Sequence, residues 1–244
     1  MYTLGLSCCF DHTEENFCSL QKHGIGAVEV TLRNERNDQT DYKNLLALSK
    51  KYDVDLWSMH LPYCTIDISA GDAVKLHETV SYVAEFIKKG ADIGIDKFVM
   101  HPSVEPIEPE EREEHKKKAM DSLNKLAEVA DSAGGVLCVE NLPRTCLCNT
   151  TEETAEIISV NDKLKVCFDT NHLLNNDSVN FMKTLSEIDY KGVFMYEVNL
   201  KSPKSIVRDR DLTFADYVEN AKQLFAGKTP APFGKPLPNL GMWA

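Results

Sequence analysis

The sequence predicts an α/β fold, a (β/α)8 barrel of TIM type that is incomplete or distorted by one β/α unit between Asp169 and Glu197. Three observations predict it. Strand-like apolar runs alternate with amphipathic helical segments along the chain. Five of those runs end in a carboxylate or an imidazole: Leu56-Trp57-Ser58-Met59 in His60, Phe98-Val99-Met100 in His101, Val136-Leu137-Cys138-Val139 in Glu140, Val166-Cys167-Phe168 in Asp169, and Val193-Phe194-Met195-Tyr196 in Glu197. Parallel α/β enzymes gather their chemistry at strand carboxyl ends. The length, 244 residues, is close to the ~250 typical of such a barrel. Residues 1–228 are therefore expected to form a single barrel-like domain, with 229–244 as a Pro-rich tail.

Leu4–Cys8 reads as the first strand. Asp11 or Thr13 caps a helix over Glu14–Lys22, with Phe17 and Leu20 inward and Gly24 past its end. Ala27–Leu32 is the second strand, with Glu29 inside it. A helix over Asp41–Tyr52 leads to the third strand, Asp55–His60, which Leu61-Pro62 stops. The next helix runs over Asp72–Gly90, with Val74, Val80, Val83, Phe86 and Ile87 near helical spacing. His77 on this helix reads as an ordinary helix residue. Lys97–His101 is strand four, ended by Pro102. Pro109 opens a charged helix to Ser132, with Gly134-Gly135 as its stop. Val136–Glu140 is strand five. Thr150 and Glu153 have the spacing of a capping box for a helix to Ser159. Lys165–Asp169 is strand six, and the apolar run Val166-Cys167-Phe168 reads as buried. One helix fits Ser178–Ile188, Gly192–Val198 is the last strand, and a final helix covers Phe214–Phe225. Prolines at 230, 232, 236 and 238 make the tail extended. The count is seven strands, where a closed barrel needs eight.

The formal net charge is −11, and an acidic chain repels duplex nucleic acid unless the fold gathers a basic patch, so tight duplex binding is not expected. No apolar run approaches the ~20 residues needed to span a bilayer. The start, Met1-Tyr2-Thr3-Leu4-Gly5-Leu6, lacks the basic region of a secretory signal, so a cytoplasmic protein is expected. In that setting the eight cysteines are expected to be reduced thiols. Cys146-Leu147-Cys148 has the form of a metal clip but lacks a second pair.

Five short motifs carry a resemblance: Ser58-Met59-His60-Leu61-Pro62, Val99-Met100-His101-Pro102, Cys138-Val139-Glu140-Asn141, Cys167-Phe168-Asp169-Thr170-Asn171-His172 and Met195-Tyr196-Glu197-Val198. In this order the chain resembles the xylose isomerase-like TIM barrels, the sugar phosphate isomerase/epimerase group related to endonuclease IV-type AP endonucleases. The resemblance implies that Glu140, Asp169 and Glu197 correspond to metal-binding carboxylates and His60, His101 and His172 to site histidines. Such proteins usually carry another strand with a histidine between the Asp-xx-His strand and the final Glu strand. Here Asp169 and Glu197 are 28 residues apart, room for one helix and no strand.

Three strand-end acids converging on one barrel mouth repel each other unless a cation or bound protons intervene. The expected cofactor is a divalent metal ion (Mn, Mg or Zn) on Glu140, Asp169 and Glu197, with His172 turned in as a fourth ligand or held just behind. A set made mainly of oxygens favours Mn or Mg. The chemistry that fits is a sugar (phosphate) isomerase or epimerase moving a proton next to a ketose carbonyl through an enediolate. Glu140 and Glu197 would be the acid/base pair, and His60, His101 and Arg144 would hold substrate hydroxyls or a phosphate. The partner is then a small sugar or sugar phosphate, with no duplex nucleic acid and no membrane, and a homo-oligomer is possible. Two alternatives stand beside it: an AP endonuclease-like metal-dependent phosphodiesterase, and a non-catalytic barrel that binds metal or sugar.

Overall fold

The protein is described from a computed structural model, which covers residues 3–7, 11–32, 39–170, 172, 182–183, 186–187, 189–202 and 206–236. Seven parallel strands form one sheet: β1 (Thr3–Ser7), β2 (Ala27–Thr31), β3 (Asp55–His60), β4 (Lys97–Met100), β5 (Val136–Glu140), β6 (Lys165–Cys167) and β7 (Val193–Tyr196). Their order is β6-β5-β4-β3-β2-β1-β7. From β1 to β6 sequential strands are neighbours, joined through helices, as right-handed β/α crossovers require, and β7 pairs with β1. The two ends of the series, β6 and β7, are the sheet edges. Among the described residues no strand lies between them in the chain. The fold is an incomplete barrel of the expected type.

The helices follow the sequence signals closely. In α1 (Glu14–Lys22), the Thr13 hydroxyl caps the start by accepting from the Asn16 amide at 3.3 Å. Gly24 takes φ +70° just past the end, a conformation that favours glycine. Next come α2 (Tyr42–Tyr52), α3 (Ala73–Ala91, capped by Asp72) and α4 (Arg112–Ser132). In α5 (Thr151–Ile158) the expected capping box is half made. Thr150 Oγ1 accepts from the Glu153 amide at 3.2 Å, but the Glu153 carboxylate is occupied by Arg112 and by the Cys148 amide at 2.7 Å. A long-range charge outcompetes a local cap. The last helix is α6 (Phe214–Phe225). The helix expected over 178–188 falls mainly on residues outside the described set.

The chain divides into two compact units. One comprises Met1–Glu29, Ala47–Asp55 and Asp177–Ala244. Its interior includes Leu6, Phe17, Leu20 and Val28. Gly5 is needed there: a Cβ would meet Met195 and Val193 side-chain atoms at 2.7 Å. The Pro-rich stretch adds Phe233, which stacks on Tyr217 with ring centroids 4.7 Å apart. Lys235–Pro236 (β9) then pairs antiparallel with Ile206–Val207 (β8).

The other unit comprises Val30–Leu46 and Leu56–Asn176. Here Phe98, Met100, Leu137 and Val139 of the central strands are buried with Phe86 and Ile87 of α3 and Leu123 and Leu126 of α4. The reading of Val166-Cys167-Phe168 as a buried strand is corrected. Val166 is 41 % exposed and Phe168 47 % exposed. An apolar run marks a strand but not its place in the sheet, and β6 is an edge.

Candidate metal centre

The centre is built at the carboxyl ends of β3 to β6. The β4–β5 register pairs Met100 with Val139, so the next step sets His101 beside Glu140. The β5–β6 register pairs Glu140 with Cys167, two residues before Asp169. Strand pairing alone therefore gathers an imidazole and two carboxylates.

Glu140 is the hub. It is buried, as are His60, His101 and His172. His60 Nε2 lies 3.2 Å and His101 Nε2 3.3 Å from Glu140 Oε2, and His172 Nδ1 lies 3.3 Å from Oε1. His172 Nε2 is 3.5 Å from Asp169 Oδ2. Two groups of potential metal ligands result, sharing Glu140: His60–His101–Glu140 and Glu140–Asp169–His172. In each group the donor atoms lie within 4.8 Å of one another.

Backbone carbonyls fix how two of the rings carry their protons. His60 Nδ1 is 3.0 Å from the Leu61 carbonyl and His172 Nδ1 is 2.7 Å from the Asn141 carbonyl. A carbonyl only accepts, so each Nδ1 carries hydrogen. In the neutral ring, Nε2 then presents a lone pair to a carboxylate, His60 to Glu140 and His172 to Asp169. Two acceptors face each other stably only with a proton or a metal cation between them. This donor set fits a divalent ion, with oxygen and imidazole ligands in one group and two imidazoles in the other.

Without a metal, protons shared with the imidazoles take that place. Burial pushes the imidazolium form of His101 down, and the neighbouring Glu140 offsets this only in part. Burial also pushes the Glu140 carboxyl up, but His101 and His60 together outweigh that and hold it below the usual carboxylate range. These contacts favour the carboxylate form of Glu140.

Two residues not read from the sequence complete the centre. Asn141 joins β5 to the loop after β6: its Oδ1 accepts from the Asp169 amide at 2.7 Å and its Nδ2 donates to the Asp169 carbonyl at 2.9 Å. Its position beside Glu140 was visible, but a partner 28 residues away was not. Tyr63 packs its ring 4.4 Å from His60 and 4.9 Å from His101, centroid to centroid. Pro62-Tyr63 directly after the strand was the available signal.

Arg144 is held by Glu105. Glu197, just past β7, belongs to the other unit, is exposed, and is in neither ligand group. His77 is exposed on α3. Cys146 and Cys148 are buried, and burial pushes their thiols up to about 11 and about 12, which leaves them protonated and poor ligands.

Residues 18–180, more than half of the chain, match the sequence family described as the xylose isomerase-like TIM barrel. The chain belongs to this family. Solved structures with the same fold include a D-tagatose 3-epimerase-like protein, 18 % identical, with a TM-score of 0.74 over 93 % of this chain and 97 % of that one. A D-psicose 3-epimerase from Clostridium cellulolyticum H10 is 15 % identical, with a TM-score of 0.71 over 93 % and 95 %. A 3-keto-D-glucoside 4-epimerase from E. coli is 18 % identical, with a TM-score of 0.62 over 98 % and 94 %. No protein of curated function matches the sequence. Within this xylose isomerase-like barrel the strand-end acids and imidazoles are where the family fold places its chemistry. No helix among the described residues is long and apolar enough to cross a membrane.

Proposed function

We propose that the protein is a sugar isomerase or epimerase that moves a proton on the carbon next to a ketose carbonyl. The observation that carries this reading is the buried Glu140, shared by two groups of metal-competent side chains at the strand ends. Its xylose isomerase-like fold and its sugar-epimerase structural neighbours support it. Glu140, Asp169 and His172 would hold a divalent ion, with Glu197 as a further carboxylate on the strength of its strand-end position. Such an ion, when bound, supplies Lewis acidity that polarises a carbonyl and acidifies the neighbouring C–H.

The chain's own residues do the rest. Asn141 fixes the Asp169 backbone, and the Asn141 carbonyl orients His172. His60 and His101 face the Glu140 carboxylate, and with Tyr63 they form a cluster of rings beside it. Glu197, exposed at the end of β7, would be the acid/base group that accepts the proton. Removal of that proton gives an enediolate; its return to the neighbouring carbon gives the aldose–ketose isomer, and a proton delivered from the opposite face, the part proposed for Glu140, gives the epimer. The test is product formation. Manganese-loaded protein incubated with a panel of ketohexoses and ketopentoses, followed by carbon-13 NMR, should convert at least one into its epimer or aldose isomer. No new sugar across the panel would leave the non-catalytic barrel as the better reading.

One observation favours the alternative. The His60–His101–Glu140 group adds a second cation position adjoining the first, an arrangement that suits phosphodiester hydrolysis by paired metals. The net charge of −11 counts against it, since duplex binding rests on basic contacts to phosphates. Metal-dependent nicking of an abasic-site duplex, with micromolar affinity, would favour the nuclease.

A further inference from the structure

The loops that follow His101 and Glu140 are joined by an ion pair. Glu105 lies four residues beyond His101, and Arg144 four beyond Glu140. Arg144 Nε donates to Glu105 Oε2 at 2.9 Å and its Nη2 donates to Oε1, so the guanidinium grips both carboxylate oxygens. The pair is half-buried, with 28 % and 27 % of the side chains exposed.

We propose that Glu105 closes Arg144 to anions, so that this centre takes an uncharged polyhydroxy ketone and rejects its phosphate ester. This rests on the sugar reading above and narrows its substrate class. A phosphate would need the same fork that Glu105 already fills. The pair is also held in place from both sides. Arg144 has φ +57°, and its carbonyl accepts from Asn149 Nδ2 at 2.6 Å. The Ile107 amide donates to Thr145 Oγ1 at 3.4 Å, and Arg112 donates to the Thr145 and Cys146 carbonyls at 2.9 and 3.0 Å. The two loops therefore do not part without losing several further bonds.

Arg112, at the start of α4, reaches the 141–150 loop but is itself held by Glu153. Residues 61–72, 101–111, 141–150 and 168–172, which follow β3 to β6, contain Asp67, Asp72, Glu105, Glu108, Glu110, Glu111 and Asp169, and Arg144 is their single Lys or Arg. A phosphate dianion approaching these four loops meets net repulsion from their side chains, whereas a neutral sugar does not.

The test uses inorganic phosphate as the probe, titrated calorimetrically into the metal-loaded full chain at neutral pH. Glu105→Gln should bind phosphate at least about tenfold more tightly than the native protein. The double variant Glu105→Gln/Arg144→Gln should lose that gain, which separates it from phosphate bound directly to metal. The double variant, which removes both charges, should also match the native affinity, and it decides the matter if Glu105→Gln alone does not fold. The assignment is overturned if the double variant binds phosphate more weakly than the native protein, or if folded Glu105→Gln gains nothing. A phosphate gain without turnover of any ketose would sink the sugar reading and keep the role of Glu105. Ketose turnover without the gain would do the reverse.

Discussion

Asn141 shows how one carboxamide sets the geometry of residues on two strands. With its oxygen on the Asp169 amide and its nitrogen on the Asp169 carbonyl, it pairs with that residue's backbone as a neighbouring strand would. Asn141→Ala should cost ~1–3 kcal/mol of stability from the lost buried bonds and weaken manganese affinity by roughly 10–100-fold. Calorimetric titration and thermal melts check both. Affinity unchanged in a folded variant would mean that Asp169 is placed by other means. At this scale the sequence was legible where function sits at a strand end: His60, His101, Glu140, Asp169 and His172 were all recognisable from one local pattern, and the structure brings them together. Asn141, Tyr63 and the Glu105–Arg144 pair were not, because their roles depend on partners in other loops.

At the scale of elements, α6 and β6 give contrasting cases. The start of α6 is secured by Asp216, whose carboxylate accepts from the Thr213 amide at 2.7 Å and hydroxyl at 2.8 Å and from both Arg210 terminal nitrogens. Arg210 first, then the Thr213 bonds, outweigh a modest burial penalty and hold the Asp216 carboxyl well below its ordinary 3.8. A depressed folded-state value stabilises the fold above the unfolded-state value, and that contribution is lost as the pH falls through the folded one. Asp216→Asn should therefore cost ~1 kcal/mol at pH 7, and the gap should narrow as the pH drops below 3.8. Denaturant unfolding at several pH values reads this directly, and a gap that widens in acid would contradict it.

For β6, equal side chains in unequal places give the comparison. Phe98 is fully buried in β4, whereas Phe168 follows β6 and is 47 % exposed. Phe98→Ala should cost ~3–5 kcal/mol and Phe168→Ala less than about half of that. Equal costs would restore the buried strand that the sequence suggested. Helix bounds were legible because caps and apolar spacing are local, as Thr13 and Glu14–Lys22 show. The half-made cap at Thr150 was not, because Arg112 claims Glu153 from 41 residues away.

For the whole molecule, seven parallel strands among the described residues, with β6 and β7 at the edges, form an incomplete barrel. The strand count was legible from the alternation of runs and helices. The edge position of β6 was not, because hydrophobicity along one strand does not report its neighbours. The claim that unites these scales is that the carboxylate hub at Glu140 supports proton transfer next to a ketose carbonyl. Solvent deuterium exchange tests it most directly. Manganese-loaded native protein in D2O, given a panel of ketoses, should wash deuterium into the carbon beside the carbonyl of at least one. Glu140→Gln should cut that exchange by about 100-fold or more, on the scale of a lost acid/base or electrostatic contribution. His77→Ala should leave it unchanged. Exchange that survives intact in folded Glu140→Gln, or none in metal-loaded native protein across the panel, would contradict the account.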